Sequence, residues 1–162
     1  MTRGFTLIEL LIVIAIVTTA CAFTFGIGFD DYRRTQTHST RDTIVNALMH
    51  ARAEAMANEC FDSPGDQCTQ GRAHGVEISN DKVTVFQVNT ATSTPYFEHR
   101  DAAQDEITSF DSVITIASTS AREIVFLPLS GDVTNPGTLV ITNDAQPTST
   151  SITVSEKGTI TW

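Results

Sequence analysis

Positive charge is scarce in this chain. Ten Lys and Arg stand against 19 Asp and Glu, for a formal net charge of −9 over 162 residues. Such a surface repels polyanions, so general nucleic-acid binding gets no support from composition, and the acidity reads first as solubility. No glycine-rich phosphate loop and no nucleophile elbow occurs in the chain. His38, His50, His74 and His99 are scattered without metal-ligand spacing. Asp62 and Asp66, with few other oxygens beside them, are a thin basis for a calcium site and read as solvated loop acids. No enzymatic role, cofactor or metal is therefore expected.

The length allows one domain plus an anchor. The apolar residues are unevenly spread, and a large share of them falls between Phe5 and Phe29, where Glu9 is the single charged residue. As a helix this segment would extend roughly 37 Å, enough to cross a bilayer core of about 30 Å. A cleaved signal peptide fits poorly, because the run is too long and a carboxylate lies early in it. A lipoprotein signal ending at Cys21 lacks the usual Leu three residues before the Cys. A plain membrane span fits the length but leaves Glu9 unexplained, since a carboxylate in hydrocarbon costs about 2.5–3.5 kcal/mol on insertion scales.

The stretch Arg3-Gly4-Phe5-Thr6-Leu7-Ile8-Glu9-Leu10-Leu11 resembles the class III signal of type IV prepilins and type II secretion pseudopilins. The resemblance implies a leader of residues 1–4, cleavage by prepilin peptidase between Gly4 and Phe5, and N-methylation of Phe5. It also implies that Glu9 pairs with the N-terminal amine of a neighbouring subunit during filament assembly. That pairing is physically sensible, because a buried carboxylate would neutralise the ammonium that cleavage creates. Residues 5–29 would then be a transmembrane and polymerisation helix. Residues 30–162 would form a periplasmic or extracellular domain, anchored in the inner-membrane lipid before assembly with other pilin or pseudopilin subunits. Many major pilins carry a proline well into this helix. Here Gly26-Ile27-Gly28 stands near that place, and each glycine lowers helix propensity by about 1 kcal/mol relative to Ala. A local melt or bend, or close helix packing, would use these glycines.

Residues 32–58 contain no proline or glycine. Ile44, Leu48, Ala51 and Ala55, with Val45 and Met56 alongside, form one apolar stripe, and Arg41, Asn46, His50 and Glu54 occupy the opposite face. The pattern predicts an amphipathic helix lying on a sheet and stopping near Asn58. The string Leu48-Met49-His50-Ala51-Arg52-Ala53-Glu54-Ala55 resembles the "ARSEA" helix of the GspH/FimT group of minor pilins and pseudopilins. Cys60 and Cys68 then flank a short polar loop containing Pro64-Gly65. In an exported chain they could form a disulfide contributing roughly 2–3 kcal/mol in the chain-entropy model; metal binding is the competing reading.

From about residue 73 to 162 the chain is β-rich, with short runs of period two. Residues 75–79 and 82–88 read as a hairpin around Asn80-Asp81, followed by a polar stretch to about Ile107. Further strands are expected over 112–117, 122–127, 138–143, 151–155 and 159–162. The fold class is α+β, type IV pilin-like: a long N-terminal helix, transmembrane in its first half and amphipathic in its second, packed on antiparallel β-sheet. Phe126-Leu127-Pro128-Leu129-Ser130-Gly131 resembles the "F-x-P-x-G" turn of the same group with one extra residue, and Ile152 to Ile160 resembles its closing hairpin. Three roles share these features: a minor pilin of a type IV pilus, a type II secretion pseudopilin, and a DNA-binding minor pilin of a natural-transformation pilus. The third requires arginines on the final hairpin. This chain offers only Lys157 there, beside Glu156, and one lysine is too few for useful phosphate contact.

Overall fold

The computed structural model describes residues 6–57, 72–88, 100, 102–110, 114–118, 122–143 and 146–162, with the side chains of residues 23–30, 33 and 146–148 outside that description. Gly4, Phe5, Cys60 and Cys68 lie outside the described residues, and so do the expected cleavage site, methylation site and disulfide. Gly26 and Gly28 lie in helical backbone. Among the described residues no helix is long and apolar enough to cross a membrane. The expected span over residues 5–29 includes side chains outside the description.

Helix α1 runs from Leu7 to Ala57. The chain divides into two compact units, Met1–Gln36 and Thr37–Trp162. In the first, every described side chain from Thr6 to Ala22 is exposed, and nearly all are apolar. Two hydroxyls in this segment are satisfied within the helix: Thr18 Oγ1 donates to the Ile14 carbonyl at 2.9 Å, and Thr19 donates to Ala15. Such back-bonding lets threonine sit in an apolar helix without an unpaired polar group.

The second unit contains the rest of α1 and eight strands, β1 (His74–Ile78), β2 (Lys82–Gln87), β3 (Glu106–Ser109), β4 (Ile114–Ser118), β5 (Glu123–Phe126), β6 (Gly137–Asn143), β7 (Gln146–Val154) and β8 (Ile160–Thr161). They form two four-stranded sheets, ordered β3-β2-β1-β5 and β4-β6-β7-β8. All pairings between them are antiparallel. The α+β arrangement is as expected, with corrections in detail. Strand β3 falls in and just after the stretch read as aperiodic, and all four of its residues are exposed. An edge strand with both faces open carries no alternating pattern to reveal it. Strand β7 begins earlier than expected and includes Pro147. Pro147 has no partner on β6, where the register shifts between Thr142 and Asn143, nor on β8, which pairs only with Thr153 and Val154, so it sits where proline interrupts no ladder.

One core unites the helix and both sheets. Ile44, Leu48, Ala51 and Ala55 of α1 pack with Val76, Val85, Ile124 and Phe126 of the first sheet and Ile116, Leu139, Ile141 and Ile152 of the second. The buried stripe extends one turn earlier than apolarity indicates, through Thr37 and Thr40. Met56, expected beside the stripe, is 49% exposed. The opposite face of the first sheet holds a smaller cluster of Ala73, Phe86, Val88 and Val125. Gly75 is paired with Phe86 in the ladder, and a Cβ at Gly75 would stand 2.5 Å from the Phe86 ring. The glycine lets the ring lie across the neighbouring strand. Gly75→Ala is therefore expected to lower stability by about 1–3 kcal/mol, through overpacking. Thermal unfolding by circular dichroism would check this, with Ser79→Ala in the following turn as the comparison.

Candidate functional site

The three segments singled out by resemblance, the Ala51–Ala55 string of α1, the Phe126–Gly131 turn and the closing hairpin, meet in one place. Leu129 donates its N–H to the Ala55 carbonyl at 2.9 Å, satisfying one of the last carbonyls of the described helix. To do so, Leu129 takes a φ of 65°, the one positive value among the described non-glycine residues. Such a conformation costs a branched side chain about 1–2 kcal/mol. The Gly131 N–H bonds back to Leu127 at 3.0 Å. On the hairpin, Gly158 N–H bonds Ser155 at 2.9 Å, and Val133 N–H reaches the Glu156 carbonyl at 2.9 Å, joining the two turns.

Gly131 and Gly158 have φ of 65° and 69°. A Cβ on Gly158 would meet the Gly131 carbonyl oxygen and stand 3.0 Å from Arg52 Nε; one on Gly131 would press on the Met56 side chain. Arg52 lies over both turns. Its Nε is buried and without a hydrogen-bond partner among the described residues. Its Nε lies against the Gly131 and Gly158 turns, where a Cβ on either glycine would come within 3.4 Å of it.

One turn away, Glu54 departs from the solvent-facing position expected for it. Its side chain is only 11% exposed, and Oε2 lies 3.1 Å from Nδ1 of the buried His74. Its other oxygen lies 3.6 Å from His50 Nε2, and His50 Nδ1 lies 3.5 Å from Glu106 Oε2. The chain of groups ties α1 to β1 and β3. Among the described residues no three His, Cys, Asp or Glu side chains could hold a metal. Nor does a nucleophile stand beside these histidines in the described contacts. The network holds helix and sheet in register.

Lys157 is exposed and pairs with Asp132 at 3.2 Å. With Glu156 next in sequence, the one basic group of the hairpin sits among acids. At the other end of α1, Glu9 is exposed. Its backbone N–H lies 3.4 Å from Thr6 Oγ1, and that hydroxyl lies 3.5 Å from Glu9 Oε2. Thr6-Leu7-Ile8-Glu9 has the spacing of a capping box, with the carboxylate also favoured by the positive end of the helix dipole. The spacing was present in the sequence. The residues that sequence reasoning missed are Thr6 and the pairs Glu54–His74 and Gly131–Gly158; the last two are made by folding alone.

The family pattern described as the prokaryotic N-terminal methylation motif matches residues 1–25. Among solved structures, the chain is similar to the minor pseudopilin EpsH from the type 2 secretion system of Vibrio cholerae, with a TM-score of 0.54 and 19% identity, over 78% of this chain and 94% of that one. No curated protein matches. The likeness to EpsH is one of fold. Because the two glycine turns share one contact, Gly131→Ala and Gly158→Ala should each destabilise by about 1–3 kcal/mol. The double variant should lose less than their sum. Urea unfolding of the four proteins of the cycle measures both effects.

Proposed function

We propose that a chain with an N-terminal methylation motif and a minor-pseudopilin fold is a structural subunit of a type IV pilus-like filament, most simply a minor pilin. It is made as a prepilin held in the inner membrane by residues 5–29, with residues 30–162 on the periplasmic side. Prepilin peptidase removes residues 1–4 and the new N-terminus, Phe5, is methylated. The observation that carries this reading is Glu9. Every described neighbour from Leu7 to Val17 is apolar and exposed, so a carboxylate there needs an opposite charge when the helix is surrounded by hydrocarbon or by other helices. The ammonium of a neighbouring Phe5 supplies it. Until then, the Thr6 hydroxyl and the helix terminus ease the isolated charge. Gly26 and Gly28 would let the helix loosen or pack closely as copies assemble.

The fold of EpsH, described as part of a secretion system, favours a second reading as a pseudopilin of a type II secretion system. DNA capture is the weakest reading, since Lys157 is engaged by Asp132. Co-expression with a prepilin peptidase and intact-mass measurement should give a product starting at methylated Phe5. A product retaining Met1, or cut near Cys21, overturns the proposal. In the same system Glu9→Leu should still be processed and inserted, while its incorporation into filaments falls at least about tenfold, as loss of a buried ion pair requires.

A further inference from the structure

Strand β3 has little to hold it. All four of its residues are exposed, and it lies at the edge of the first sheet with β2 as its partner strand. None of its residues joins either apolar cluster. Among the described ion pairs its link to α1 runs through His50, whose Nδ1 lies 3.5 Å from Glu106 Oε2 while its Nε2 lies 3.6 Å from Glu54 Oε1. We propose that His50 is a proton-operated clasp, which draws β3 onto α1 when the imidazole is charged and lets the strand stand off when it is neutral. The inference concerns the globular unit and does not depend on the filament reading above.

The geometry around the ring carries it. Each ring nitrogen faces a carboxylate oxygen, one from the helix and one from the strand. A neutral imidazole has one N–H and one lone pair. In either tautomer one carboxylate receives a hydrogen, and the other is set acceptor against acceptor. An imidazolium carries an N–H at both positions and satisfies both carboxylates at once. A charge-assisted N–H···O bond is about 2.7–2.9 Å long, so both contacts can still shorten when the proton arrives.

The other groups around this point leave that role to His50. Glu54 turns its second oxygen to the buried His74 of β1, at 3.1 Å. Strand β2 presents Val83, Val85 and Gln87, and the segment before β3 presents Gln104, none of them charged. Arg100, the basic residue nearest β3 in sequence, is engaged by Asp105 at 2.7 Å.

The clasp also stands where two cavities meet. One, of about 430 Å³, extends toward Thr43 and Thr108, and the other, of about 350 Å³, toward His74 and Gln104; His50, Val85 and Glu106 line both. A closed clasp separates them, and an open one joins them into a single groove beside α1. Imidazole changes charge between about pH 5 and 8, and carboxylates take up protons below about pH 5. Closure is therefore favoured at the acid end of that window and lost as the pH rises through it. The side chains of His50 and Glu106 are 53% and 67% exposed, so solvent screening keeps the effect modest.

The test is hydrogen exchange on the full-length protein in detergent at about pH 5.5 and about pH 8, each rate being divided by the intrinsic rate at that pH. Amides of residues 106–109 should be about threefold better protected at the lower pH, with the amides of β6 as the measure of global stability. His50→Gln and Glu106→Gln should each abolish the difference, and the double variant should do no more than either alone. His38→Gln, at an exposed histidine of the same helix, should leave it intact. A difference that survives His50→Gln belongs to His74 or to the carboxylates and overturns the proposal. Equal protection at both pH values, a difference of opposite sign, a matching change in β6, or loss of the effect in His38→Gln would overturn it as well.

Discussion

Close approach of α1 to two sheets at once is the constraint on which the globular unit depends. The buried stripe narrows along the helix, from Ile44 and Leu48 to Ala51 and Ala55. Small side chains at the last turns let backbone come near backbone. There, two turns with left-handed glycines fit beneath Arg52, and a main-chain N–H reaches a helical carbonyl directly. A larger residue at Ala55 would hold the Leu129 turn away and leave that carbonyl unpaired. The positive φ of Leu129, the absence of a Cβ at Gly131 and Gly158, and the alanines of the helix are parts of one steric solution.

Polar groups follow from the same approach. Once the helix lies against β1, His74 is enclosed, and Glu54 stands over it as a hydrogen-bonding partner. A buried imidazole and carboxylate are costly apart and tolerable together. His50 and Glu106 extend the link to the edge strand β3, which contributes little to the apolar core. The network secures the part of the first sheet that packing alone holds least.

Much of this architecture could be read from residue order because burial imposes period on sequence. The stripe of α1 repeats with the helical period, β6 alternates between buried and half-buried positions, and β1, β2 and β5 are short apolar-rich runs buried on both faces, with glycine, proline or Asn-Asp pairs in the turns. Where burial was absent, the reading failed. Strand β3 is exposed on both faces and has no period, and Met56 sits at the margin of the stripe and turns out to solvent. Glu54 was assigned to solvent because a lone glutamate carries no mark of a histidine enclosed far along the chain. Glu9 was legible as an anomaly, an acid in an apolar run. Its local partner Thr6 is less conspicuous, because one threonine at the start of an apolar helix has many uses besides capping. The three weak motifs of the α1 terminus, the Phe126–Gly131 turn and the final hairpin become a single contact only in three dimensions.

The cap on the end of α1 also bears on how the chain reaches its native state. Leu129 is synthesised long after Ala55, with the whole first sheet and β4 between them, and the Gly158 turn that completes the contact comes almost last. Contacts so distant in sequence must close large loops before they return any stabilisation. The last turn of the helix therefore stays frayed until both turns have docked, and that docking belongs to the slow, late part of folding.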